Sequence, residues 1–96
     1  MNYEISYSQR ARGHMASLPP DFVDAYDRNL LLLARNPVGL SDRIASPPFP
    51  PRGQLYHFHT VNTAGAVFFF TVIFQYSQDE TTLHVLSVTW RELVGE

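Results

Sequence analysis

Val67-Phe68-Phe69-Phe70-Thr71-Val72-Ile73-Phe74-Gln75-Tyr76 decides the fold. All but Gln75 are β-branched or aromatic, a composition that fits a pleated backbone and lacks good helix formers. Turn residues bound the run on both sides, Asn62-Thr63-Ala64-Gly65 before it and Ser77-Gln78-Asp79-Glu80 after it. A buried helix is the competing reading of any apolar run, but this one is short and closed by turns. Alternation places Phe68, Phe70, Val72, Phe74 and Tyr76 on one face and Val67, Phe69, Thr71 and Ile73 on the other. Both faces are greasy, so the sequence predicts an interior strand with helices over one face and partial cover over the other.

The segments on either side supply its neighbours. Leu55 to Val61 alternates, with Tyr56, Phe58 and Thr60 on one face and Leu55, His57, His59 and Val61 on the other. Thr82 to Trp90 forms the last strand, with Leu86, Val88 and Trp90 opposite Val85, Ser87 and Thr89. Three consecutive strands joined by short turns pair as an antiparallel meander, with Val67 to Tyr76 in the middle. Its Phe68, Phe70 and Phe74 side is then expected under the helices with Phe58.

The N-terminal half supplies those helices. Tyr3, Ile5 and Tyr7 alternate with Glu4 and Ser6 as a short first strand, expected at an edge of the sheet. Ser8 is placed to cap a helix in which Ala11, Met15 and Leu18 share one side. Pro19 and Pro20 separate it from a longer helix, whose stripe is Phe22, Tyr26, Leu30, Leu33 and Ala34 and whose end is Asn36-Pro37. Leu31 and Leu32 widen the stripe beyond what one sheet face needs. They are expected to meet the first helix in a helical hairpin, or else to form a partner surface. Residues 37–53 read as a proline-rich connector, because Pro47-Pro48-Phe49-Pro50-Pro51 cannot sit in a ladder; Leu40 and Ile44 could anchor a helical turn in it.

The expected architecture is a single α+β domain over residues 1–96, in the order β-α-α-β-β-β. Its 96 residues are 45% hydrophobic and 17% charged, which excludes global disorder. There is no cysteine, so thiol catalysis, disulfides and thiolate metal sites are excluded. The apolar run is too short for a transmembrane helix and no signal-like N terminus is seen, so a cytoplasmic protein is expected. No motif calls for a cofactor. The formal charge of −2 gives no global field for a polyanion. All seven basic residues are arginine, however, whose planar fork suits a local phosphate or carboxylate contact.

The ordered set of Tyr3 to Tyr7, Ser8 and Ala11, Leu18-Pro19, Leu30-Leu33-Asn36-Pro37, Gly53-Gln54-Leu55-Tyr56 and Val85-Leu86-Ser87-Val88-Thr89-Trp90-Arg91 resembles the RelE/ParE superfamily of toxins from bacterial type II toxin-antitoxin systems. The resemblance runs across nearly the whole chain. It implies two N-terminal helices packed on a small twisted antiparallel sheet, and a cognate antitoxin as partner. It also implies one of two targets: messenger RNA on the ribosome, cut by an mRNA endonuclease, or DNA gyrase, inhibited without cleavage. The fold alone does not choose between them. Where ribonuclease members carry an arginine at the start of the central strand this chain has Val67-Phe68-Phe69-Phe70, and where they end in histidine it has Trp90. A non-catalytic or inactivated toxin fold therefore stands beside the nuclease.

Cleavage through the 2′-hydroxyl needs a base, an acid and positive donors for the developing charge. His57 and His59 are two apart on a strand, so both project from one face, and imidazole can fill either proton-transfer role. One is assigned as base and the other as acid or substrate orienter. Arg52 and Arg91 are the candidate phosphate clamp, and Tyr76 could orient a base or donate a hydrogen bond. The same histidine spacing also describes a partly exposed sheet surface or two ligands of a metal site, though further zinc ligands at a diagnostic spacing are missing.

Overall fold

A computed structural model describes residues 2–43 and 53–93. The sheet is built around β4 (Val67–Tyr76), flanked by β3 (Gly53–Val61) and β5 (Thr82–Leu93), both antiparallel to it. β1 (Glu4–Tyr7) lies parallel to β5 at one edge, and β2 (Asp42–Arg43) lies antiparallel to β3 at the other. The order β1-β5-β4-β3-β2 leaves the most apolar strand in the centre, as its two greasy faces require. The expected two-helix, small-sheet architecture is present, and the first strand is at an edge.

The hairpin between β3 and β4 follows from its sequence. Asn62 Oδ1 accepts from the backbone N–H groups of Ala64 and Ala66, at 3.0 and 2.9 Å, and Gly65 takes φ +87°. A side-chain turn closed by asparagine and a left-handed glycine is what the quartet of turn residues encodes.

Helix α1 (Gln9–Ala16) opens on Ser8, whose hydroxyl accepts from Ala11 N–H at 3.0 Å. A short 3-10 turn, Pro20–Phe22, leads into α2 (Val23–Arg35). The anticipated stripe of α2 is inside: Phe22, Tyr26, Leu30, Leu33 and Ala34 are all buried. Phe22, Tyr26, Leu30 and Leu33 join Phe58, Phe70, Val72, Phe74, Leu83, Val85 and Val88 in one core between the helices and the inner sheet face. Every buried residue of that core is apolar or tyrosine, so polar chemistry is left to other surfaces.

Two expectations change and a third is met in part. α1 packs against β5 and β1 while α2 packs against β3, so each helix spends its apolar face on the sheet instead of on the other helix. Leu31 and Leu32 consequently remain 61% and 52% exposed, and the helical hairpin through them does not form. The connector begins with the anticipated helical turn: Asn36 Oδ1 accepts from Gly39 N–H and caps a short α3 (Pro37–Leu40), which contains Leu40. Ile44 and the proline run at 47–51 lie outside the described residues. Finally, the alternation of β5 breaks. Phe74 pairs with Val85 but Ile73 pairs with Ser87, so Leu86 is an extra residue in a β-bulge. Val85, expected beside Ser87 and Thr89, therefore joins Leu83, Val88 and Trp90 toward the core.

Two outcomes follow from this core. Phe70 is fully buried and touches the rings of Phe22, Phe58 and Trp90, so Phe70→Ala is expected to cost about 3–5 kcal/mol in denaturant unfolding. The hydroxyls of Tyr7 and Tyr26 lie 3.0 Å apart, and burial pushes the phenols of Tyr7, Tyr26 and Tyr56 above the usual value of 10.0, Tyr26 most. Such groups hold their protons in the folded chain after the unfolded chain has lost them. Stability is thus complete below pH about 10 and falls as pH rises beyond it, a loss that Tyr26→Phe reduces in urea titrations at neutral pH and pH about 11.

Candidate functional site on the open sheet face

Because β3, β4 and β5 pair in continuous register here, their outward residues line up in rows across the strands. His59 pairs with Phe69 and Phe69 with Arg91; in the next row His57 pairs with Thr71 and Thr71 with Thr89. These rows lie opposite Phe58, Phe70 and Trp90, on the face the helices leave open. Period-two alternation therefore makes the inner core and the outer site consequences of a single register.

Phe69 is the centre of the outer cluster. The His57 and His59 rings lie 4.8 and 5.1 Å from its centroid, and the Arg91 guanidinium carbon lies 5.7 Å over the same ring. A cation over an aromatic face is weakly attractive at an exposed position, which helps orient the planar donors of Arg91 without burying them. Both histidines and Arg91 are exposed, and Phe69 is half-buried. A groove of about 190 Å³ runs beside this ring, lined by Phe69, Thr71, Thr89, Trp90 and Arg91.

The spacings suit a phosphodiester. Adjacent strands are about 4.8 Å apart, so His59 and Arg91 flank Phe69 across roughly 10 Å, and the two histidines are about 6.6 Å apart along β3. A phosphate held above Phe69 is within reach of the guanidinium from one side and of an imidazole from the other. A second imidazole stands one step along the strand. The floor is apolar or hydroxylic, so electrostatic help comes from the rim.

The other proposed groups part company. Arg52 lies outside the described residues. Tyr76 is on the inner face, as its shared parity with Phe74 dictates. Its ring packs 5.8 Å from both Tyr3 and Phe74, and it interacts with Ser41. Burial raises its phenol above the ordinary range, and it lines a hollow with Arg43, Gln54 and Glu80, away from the histidines. The structure does not bring Tyr76 together with His57, His59 and Arg91. Trp90 likewise belongs to the core side, stacked 5.6 Å from Phe70, in keeping with a packing role.

A larger hollow of about 280 Å³ lies by the opposite end of β5, lined by Asn2, Tyr3, Glu4, Glu80 and Thr81. Its carboxylates make it a poor phosphate site, so the smaller groove beside Arg91 is the better candidate despite its size. Among the described residues no three His, Asp or Glu side chains gather to hold a metal ion, and no helix is long and apolar enough to cross a membrane.

The sequence contained a signal for the one feature that strict alternation missed. Adjacent apolar residues Val85-Leu86 followed by Ser87 interrupt the period of two, which is how a one-residue bulge looks in sequence. It matters here because an uninterrupted β5 would turn Arg91 toward the core and Trp90 outward.

The outer cluster can be checked directly. Phe69→Ala removes the ring that all three polar side chains share while sparing the buried core. It is expected to change the histidine ring resonances of His57 and His59 in NMR spectra while costing less stability than Phe70→Ala.

Comparison with solved structures places this arrangement on a known scaffold. No protein-family profile and no curated protein sequence matches the chain. The toxin-antitoxin complex RelBE2 from Mycobacterium tuberculosis contains a chain that aligns with a TM-score of 0.71 at 17% identity, covering 95% of this chain and 100% of that one. The intact RelBE toxin-antitoxin complex of E. coli aligns at 0.56 and 17% identity, over 90% and 93% of the two chains. A doubly substituted E. coli RelE toxin in the free state aligns at 0.59 and 16% identity, over 92% and 82%. At such identities the likeness is one of fold: this chain has the fold found in RelE-type toxin-antitoxin structures.

Proposed function

We propose that the protein is the toxin component of a type II toxin-antitoxin pair and that it acts as a ribosome-dependent mRNA endonuclease through its open sheet face. The observation that carries this reading is the cluster of His57, His59 and Arg91 around Phe69, with rings and guanidinium all within 6 Å of one centroid. One histidine takes the proton of the 2′-hydroxyl as it attacks the adjacent phosphorus. The other protonates the departing 5′ oxygen or orients the nucleotide. Arg91 donates to the non-bridging oxygens, where charge accumulates, and Arg52 is proposed as a second donor. The uncovered part of the half-buried Phe69 ring offers a stacking surface for an unpaired base, which suits single-stranded RNA better than a duplex.

A second reading has its own support. The floor between the histidines and Arg91 is apolar, and α2 leaves Leu31 and Leu32 uncovered. A toxin fold that acts by binding, as a gyrase inhibitor or an inactivated member, would have such features. In either reading a cognate antitoxin is the proposed partner. A translation reaction programmed with a defined mRNA separates the two. The wild-type chain is expected to cut the message, and a His57→Ala, His59→Ala double variant to cut it at least about 100-fold more slowly, with Arg91→Ala also impaired. Unchanged cleavage in the double variant would remove the histidines from the mechanism. Inhibition of gyrase supercoiling with the message intact would establish the binding reading instead.

A further inference from the structure

β1 ends at Tyr7, so β5 loses its outer neighbour at Val85 and runs on to Leu93 without it. The bulge at Leu86 falls at that step. Backbone groups exposed by the loss of a neighbouring strand need partners, and the N-terminal segment of the chain provides them one after another. Ser8 N–H donates to the Val85 carbonyl at 2.9 Å, and the Ser8 hydroxyl donates to the Leu86 carbonyl at 3.2 Å. Val88 N–H then donates to Nδ1 of His14 at 3.1 Å. His14 is the one side chain of α1 that reaches across to satisfy the strand beyond the bulge, 74 residues away in sequence. For that bond Nδ1 must carry its lone pair, which the neutral ring with its proton on Nε2 supplies.

We infer that His14 is a positioning residue for the open-face site: by accepting from Val88 N–H it fixes β5 in the bulged register, which keeps Trp90 inward and Arg91 over Phe69. The reasoning rests on parity. Before the bulge the β4 and β5 partners include Phe74 with Val85, and after it Ile73 with Ser87 and Phe69 with Arg91. Slipping β5 by one residue to remove the bulge would pair Phe69 with Trp90 and turn Arg91 to the helix side. The stack of Trp90 on Phe70 opposes that slip from inside the core, and the His14 bond opposes it at the edge. Val88 is buried and His14 half-buried, so losing the acceptor leaves the Val88 N–H poorly compensated by water.

The functional value of this device depends on the proposed role of Arg91, but its test does not. Two variants separate the ring from the acceptor. His14→Phe keeps a planar ring and removes it, whereas His14→Asn can place its side-chain oxygen near the position of Nδ1. In the isotopically labelled 96-residue chain, His14→Phe is expected to speed hydrogen exchange at the Val88 amide by about tenfold, the factor for a hydrogen bond of ~1.4 kcal/mol. It should also shift the Arg91 side-chain resonances and weaken binding of a short 2′-O-methyl RNA oligonucleotide several-fold. His14→Asn should restore the amide protection, the Arg91 resonances and the binding. An His14→Phe protein with Val88 still protected and Arg91 unmoved overturns the inference. So does an His14→Asn protein as perturbed as His14→Phe, because an acceptor returned to that position would then fail to restore the strand. If the wild-type chain does not bind the free oligonucleotide, the RNA reading is decided by the translation reaction alone, while the exchange and resonance comparison still decides the role of His14.

Discussion

Three aromatic rings, one from each central strand, hold the molecule in register. Phe58 lies on Phe70 with centroids 4.8 Å apart and planes inclined by 7°, and Trp90 stacks on the other flank of Phe70 at 5.6 Å and 27°. Phe22 from the turn before α2 closes on Phe70 edge-on, so the ladder also anchors the helical layer. Aromatic contacts of this kind add to the burial of the rings themselves, and a one-residue slip of either neighbouring strand would forfeit both. The rest of the fold is arranged around keeping that ladder dry.

Fixing the inner rows fixes the outer ones, since side chains alternate across a strand. Phe58, Phe70 and Trp90 inside require His57 and His59, Phe69 and Arg91 outside, given the bulge at Leu86. The candidate site is thus built on strands, with the helices on the far side of the sheet. Its polar groups stand on a rim around a half-buried phenyl ring, and in the proposed reading they bind a polyanion by a few directed contacts. The formal charge of −2 is consistent with that economy: in the proposed reading affinity comes from local arginine geometry and not from a global field.

Much of this was legible in the sequence, for identifiable reasons. The two-faced apolar run Val67 to Tyr76 announced a central strand, the stripe from Phe22 to Ala34 announced a helix on the sheet, and His57 and His59 were two apart on a strand whose alternation was clean. Tyr76 shares parity with Phe74, so its place on the inner face was also readable, although its chemistry had suggested a site role. Other features depend on tertiary context. Leu31 and Leu32 lie where helical periodicity cannot distinguish a second helix from solvent, and the short helices each turn toward the sheet. The break in β5 was marked only by Val85-Leu86 standing side by side, a local signal that long-range pairing converts into a change of face between the residues before it and those after it. Nothing local in the sequence says that His14 meets Val88, because that contact depends on where β1 stops.

The central claim is that one register creates both the inner ladder and the outer cluster, and solution NMR of the side chains tests it most directly. Nuclear Overhauser contacts are predicted in two separate sets: Phe58 with Phe70 and Phe70 with Trp90 inside, and His59 with Phe69 and Phe69 with Arg91 outside. Contacts between the Trp90 indole and the Phe69 ring, with Arg91 near Phe68, would contradict it, because they would place β5 in the unbulged register and dissolve the site.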